Sequence, residues 1–154
     1  MFPLDDDTHE KWMRHALQLA RNAADAGEVP VGAVIVVEGE IIAEGRNSPL
    51  ALLDPTAHAE IMAIRQAALA LGNYRLGNAS LYCTLEPCPM CAGALVAARI
   101  KTLVFGARDL RFGAVRSKFT IADSDLLNHR VDVVEGVLGA ECTAILQRFF
   151  AAKR

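Results

Sequence analysis

Four residues in this chain have the types and spacing to do chemistry: His58, Glu60, Cys88 and Cys91. They stand in two short runs, His58-Ala59-Glu60 and Pro87-Cys88-Pro89-Met90-Cys91. One imidazole and two thiolates make a mixed nitrogen–sulfur ligand set that suits zinc. Three protein ligands leave a fourth tetrahedral position for water, the arrangement of a catalytic rather than a closed structural ion. Cys88 and Cys91 are three apart, so on a helix they share a face and can reach one ion. Glu60, two residues from the imidazole, is placed to move protons on that water.

A structural zinc site would need a fourth ligand. Cys83 is the nearest candidate, but it falls in the middle of an apolar run, where a small buried thiol is ordinary. A Cys-x-x-Cys pair alone would also fit a redox dithiol, and the His-x-Glu half separates the two readings. Together the halves match an established pattern, the signature of zinc-dependent nucleobase deaminases, in which the Glu is not a ligand. The chemistry is hydrolytic loss of an amine from an aromatic ring. Glu60 would take a proton from water, then protonate a ring nitrogen and the departing amine. His9, His15 and His129 are isolated and read as surface or locally hydrogen-bonded histidines. Cys142 reads as core.

The elements that must position these residues are legible as alternating helices and strands. Residues 8–26 carry Trp12, Ala16, Leu19, Ala20 and Ala23 at helical spacing, with Gly27 as a stop. Asp7 and Glu10 resemble a capping box. Residues 31–37 and 40–44 read as strands around a Glu38-Gly39 turn. Residues 45–55 read as a loop. A helix is expected over 54–71, with Asp54 as N-cap and Pro55 in its first turn. Residues 79–85 form a third predicted strand, and a helix follows from Cys88 to about residue 99. Residues 101–107 and 131–137 are predicted strands, 108–128 is irregular, and 140–152 is the last predicted helix. Both halves of the motif thus open helices, whose N-termini favour thiolate over thiol. The pattern predicts a layered α/β fold with a partly parallel sheet.

Composition bounds the rest. The chain has 154 residues and is 53% hydrophobic, which suits one domain over residues 1–154 with a single core. No apolar run is long enough to predict a membrane span. The acidic start lacks the order of a secretory signal, and four cysteines are too few for a disulfide scaffold, so a reduced, cytoplasmic setting is expected. The formal net charge is -2. It is unevenly spread: residues 1–98 hold 6 Lys+Arg against 12 Asp+Glu, a balance of -6, and residues 99–154 hold 10 against 6, a balance of +4. A basic C-terminal part can make a local phosphate-binding face despite the acidic total.

The match extends beyond the metal residues. Residues 28–34 (EVPVGAV), Asn47, residues 54–61 (DPTAHAEI), 73–76 (NYRL), 84–88 (TLEPC), 90–94 (MCAGA), 104–109 (VFGARD), 128–131 (NHRV) and the terminal Phe149-Phe150 resemble the bacterial tRNA-specific adenosine deaminases. The resemblance covers nearly the whole chain. It implies a three-layer α/β/α cytidine deaminase-like fold with a five-stranded mixed sheet. It implies a homodimer that converts adenosine to inosine at the wobble position of the tRNA anticodon loop. It carries over His58, Cys88 and Cys91 as ligands of one Zn2+ per chain and Glu60 as proton shuttle. Asn47 and Asp109 would contact the flipped nucleotide and its neighbours, Pro30 and Leu85 would wall the base pocket, and Phe149 would meet the anticodon loop. After Asp109 the family usually runs through small residues, whereas this chain has Arg116, and only Lys153 and Arg154 form a basic tail. The alternative is a relative that deaminates a free nucleobase or nucleoside such as guanine or cytosine. A third reading is an RNA-binding protein with a structural zinc, against which Glu60 argues.

Overall fold

A computed structural model describes residues 6–153. The N-terminal residues 1–5 and Arg154, both read above from sequence, lie outside them. The elements run α1 (Asp6–Asp25), β1 (Gly32–Val37), β2 (Glu40–Arg46), α2 (Pro49–Leu52), α3 (Ala59–Leu71), β3 (Ser80–Leu85), α4 (Pro89–Ala97), β4 (Thr102–Ala107), β5 (Asp132–Glu135) and α5 (Gly139–Ala152). The five strands form one sheet in the order β2-β1-β3-β4-β5. β1 pairs antiparallel with β2 and with β3, while β3–β4 and β4–β5 are parallel. The β1–β2 turn places Glu38 (φ 51°) and Gly39 (φ 77°) in the left-handed region, the twist that suits a tight hairpin.

Two cores cover the two faces, because alternate residues of each strand point to opposite sides. Val34, Val36, Tyr82 and Val104 face α1 and α5 and pack with Trp12, Met13, Ala16, Leu17, Cys142 and Ile145. Ala33, Ile35, Leu81, Cys83, Leu103 and Phe105 face the other way, with Ala59, Ala63 and Ala67 of α3 and Leu95 and Val96 of α4. This is the expected three-layer fold. Fully burying a side chain such as Met13 or Leu17 is worth about 1.5–3 kcal/mol. A buried hydrogen bond of 2.8 Å between His9 Nδ1 and the Tyr82 hydroxyl also ties α1 to β3. His129 Nε2 meets the Ile100 carbonyl at 2.7 Å. Both histidines are thus locally bonded.

Three expectations need correction. α3 begins at Ala59, not near Asp54. Asp54 closes a turn instead: its Oδ1 accepts from the Thr56 N–H at 2.8 Å and the Thr56 hydroxyl at 2.7 Å. A short polar side chain can bond its own backbone two residues on, and here that local bond replaces a helix cap. Asp7 lies within the first turn of α1, one residue inside its start at Asp6. The loop expected over 45–55 gives its first two residues to β2 and contains the one-turn α2.

Gly45 lets α3 sit close to the sheet. A Cβ there would strike the Ala59 carbonyl and lie 2.8 Å from the Ala63 nitrogen. The buried alanines of α3 recur every four residues and form the matching small face. Gly45→Ala should therefore lower stability by about 1–3 kcal/mol, the usual cost of overpacking. An unchanged melting temperature would contradict this close approach.

Candidate active site and metal centre

His58 and Cys88 occupy equivalent places in the two α-helices that open the motif. Each is an N-cap with extended backbone, at φ -72°, ψ 154° for His58 and φ -73°, ψ 173° for Cys88. Pro89 follows Cys88 as the first helical residue, where its missing N–H costs nothing and its fixed φ starts the turn. Glu60 and Cys91 lie in the first turns that these caps open. The Asn47 side chain supplies a bond the caps do not: its Oδ1 accepts from the Ala59 N–H at 2.9 Å. Asn47 thus fixes the start of α3 and keeps its amide nitrogen as a donor.

The His58, Cys88 and Cys91 ligand atoms lie within 4.8 Å of one another, and among the described residues no other group of this kind occurs. His58 Nδ1 is 3.6 Å from Cys88 Sγ and 3.4 Å from Cys91 Sγ. A tetrahedral zinc with ordinary Zn–S and Zn–N lengths separates such atoms by about 3.6 Å, so donor set and spacing fit a metal ion. Cys83 is not a fourth ligand. It is buried and its thiol meets the Leu85 carbonyl at 2.6 Å. Three ligands leave the centre open on the cavity side.

The electrostatics match that layout. A hydrogen bond from Cys91, followed by one with His58, brings Cys88 down to about 4, against the opposing effect of burial. That same bond, followed by burial, raises the Cys91 thiol. The bond to Cys88 raises His58. Glu60 is 4% exposed. Burial pushes its carboxyl up to about 7, with the Cys88 charge adding to the rise and a backbone bond and His58 opposing it. A group with a pKa near neutrality can both accept and return a proton.

A cavity of 670 Å³ opens over these residues. Val29, Val31, Asn47, Pro49 and residues 108–112 line it. His58, Glu60, Leu85 and Cys88 form part of its lining, with Leu146 and Phe150 of α5 at its edge. The anticipated Asn47, Leu85 and Asp109 therefore come together with the metal residues. Pro30 and Phe149 do not line this cavity. Pro30 is buried between Val29 and Val31, which do. The Val31 N–H reaches back to the Val29 carbonyl at 2.9 Å, a tight turn centred on Pro30 that leaves the two valines, not Pro30, in the lining. Phe149 borders a separate hollow with Gln18 and Arg21 of α1. Phe150 reaches the active cavity, about 100° further round the helix. The phase of buried Cys142 and Ile145 carried that signal in the sequence.

A family model described as MafB19-like deaminase matches residues 7–154. A tRNA-specific adenosine deaminase of Haemophilus influenzae is 52% identical over 146 residues, covering 94% of this chain and 84% of that protein. This chain belongs to the tRNA-specific adenosine deaminase family. The Bacillus subtilis tRNA-specific adenosine deaminase is 45% identical, covering 94% of this chain and 90% of its own. A structure solved in a study of A-to-I editing by tRNA:A34 deaminases superposes with a TM-score of 0.86 at 46% identity, covering 88% of this chain and 99% of that one. A guanine deaminase from Nitrosomonas europaea has the same fold, with a TM-score of 0.80 at 26% identity over 92% of this chain and 84% of that chain.

The ligand assignment within this deaminase chain has a direct check. Cys88→Ala should lose the metal, because two donors cannot hold the ion as three do. Elemental analysis of the purified variant should return little zinc. Zinc at one ion per chain would refute the assignment.

Proposed function

We propose that this chain deaminates adenosine to inosine at the wobble position of tRNA, with one zinc ion held by His58, Cys88 and Cys91. The observation that carries the proposal is the open three-ligand cluster with buried Glu60 beside it, in a chain 52% identical to a named tRNA-specific adenosine deaminase. When bound, zinc would supply a water of pKa about 7 as the nucleophile.

The chain's own residues do the rest. Glu60 takes the proton shed by the attacking water and delivers it to the purine ring nitrogen. It then takes the second proton from the new C6 hydroxyl and passes it to the amine as the C6–N bond breaks. Water and adenosine become inosine and ammonia, and Glu60 ends as it began. Its carboxyl pKa of about 7 suits both directions of transfer. Asn47, anchored through its oxygen to Ala59, offers its amide N–H to the purine edge. Leu85 supplies an apolar wall, and Asp109 stands at the lip. A target base inside an anticodon loop must be splayed out of its stack to enter such a cavity. Exposed Phe112 and Phe150 at the mouth, with Arg111 beside them, are suited to neighbouring bases and phosphates. We assign Phe149 to a contact further from the reacting base.

A homodimer in the cytoplasm completes the reading. Exposed Leu50, Leu52 and Leu53, beside the Pro49 wall of the cavity, are the apolar surface a second copy would cover. Among the described residues no helix is long and apolar enough to cross a membrane.

Glu60→Gln should keep zinc but lower turnover by at least ~100-fold, the lower end for a lost general acid–base. Zinc content and rate measured on one preparation test this, and full activity with zinc bound would remove Glu60 from the mechanism. The same preparation should sediment at twice the 16.6 kDa chain mass. A monomer would remove the dimer assignment.

A further inference from the structure

Glu86 is 2% exposed, yet it carries a carboxylate. Its Oε1 accepts from the Asp109 N–H at 3.0 Å and from the Ser117 hydroxyl. Its Oε2 accepts from three successive amides, Val115 at 3.0 Å, Arg116 at 2.7 Å and Ser117 at 2.9 Å. Converging backbone N–H groups of this kind form an anion-binding nest. Here the anion is a side chain of the same protein. The Arg116 guanidinium does not supply the countercharge, since it pairs with Asp123 at 2.7 Å.

The segment held this way supplies a lip of the cavity. Residues 108–112 line the cavity but belong to no helix or strand. Leu110 and Phe112 are 75% and 58% exposed, so core packing does not fix them. Asp109 Oδ1 accepts from the Arg111 and Phe112 amides at 3.0 and 3.2 Å, which passes the position of Asp109 on to both. Gly113 leaves room for the carboxylate: a Cβ there would run into the Glu86 carboxyl group. One buried carboxylate therefore ties both ends of the segment 109–117 to the residue that precedes Pro87-Cys88.

We propose that Glu86 is a positioning residue, whose carboxylate shapes the 109–117 lip and so sets how firmly the RNA around the target base is held. The effect on RNA rests on the tRNA deaminase reading; the dependence of the lip on Glu86 does not. Glu86→Gln keeps the shape of the side chain but turns an NH2 toward amide donors. Gly113→Ala keeps the carboxylate and drives a methyl group into it and into the neighbouring Asp109 carbonyl.

Zinc-loaded wild type and both variants would be compared on an anticodon stem-loop carrying A34, with amide hydrogen exchange followed in parallel. In both variants the amides of Asp109, Val115, Arg116 and Ser117 should lose protection. KM should rise on the order of 10- to 100-fold, as for a misplaced binding element, while kcat changes less. Unchanged KM with normal exchange at these amides overturns the proposal, as does a lower melting temperature with unchanged KM. If Glu86→Gln loses zinc through its closeness to Cys88, Gly113→Ala decides alone, and wild-type behaviour in that variant overturns the proposal. If wild type leaves the stem-loop unedited, the tRNA reading fails and exchange alone decides the role of Glu86.

Discussion

The site depends on two helix starts being held against the same end of one sheet. His58 caps α3, and Cys88 caps α4 just after β3 ends at Leu85. Neither cap side chain is spent on its own helix, so both are free to face a shared point. The first-turn residues Glu60 and Cys91 then fall beside that point. Hydrogen bonds with Cys91 and His58 hold the Cys88 thiol low and raise both partners. If either helix shifted, the three donors would no longer sit within 4.8 Å. Gly45 and the small face of α3 hold one helix in place, and the β3–α4–β4 crossover holds the other.

Buried carboxylates extend that scaffold to the rim. Glu28, 4% exposed, accepts from the Leu50 and Ala51 amides and holds the start of α2 beside Pro49. Glu86 does the same for the 109–117 lip. The short α2 buries no side chain, and in the 109–117 segment only Ala114 and Val115 join the core, so ionic hydrogen bonds add to packing as a source of order. Such a rim can be rigid while exposing Leu110, Phe112 and Phe150 to a ligand.

Much of this was legible in the sequence, for reasons that differ by element. The His/Cys/Cys cluster, the five strands and the main helices follow from residue type and local periodicity. Their chemistry demands those residues at those spacings. The start of α3 was misread because Asp54-Pro55 is a good helix opening locally, and a Thr56 turn took its place. Pro30 and Phe149 were singled out where their neighbours Val29, Val31 and Phe150 line the cavity. A tight turn at Pro30 decides the first case, and helical phase, readable from Ile145, decides the second. Glu86 stood inside the matched run 84–88, but its role needed the fold. Its partners are 23 to 31 residues away in a segment without periodicity. Arg116, a departure from the usual small residue, proved to be paired with Asp123.

In the proposed reaction, an open His/Cys/Cys centre with buried Glu60 acts on a base presented by RNA. The most direct test incubates the zinc-loaded protein with a tRNA carrying A34, beside free adenosine, cytidine and guanine. Inosine at position 34 of the tRNA, with the free compounds untouched, is the predicted result. Turnover of a free base with the tRNA left unedited would contradict the account and move the same zinc chemistry to a small-molecule substrate.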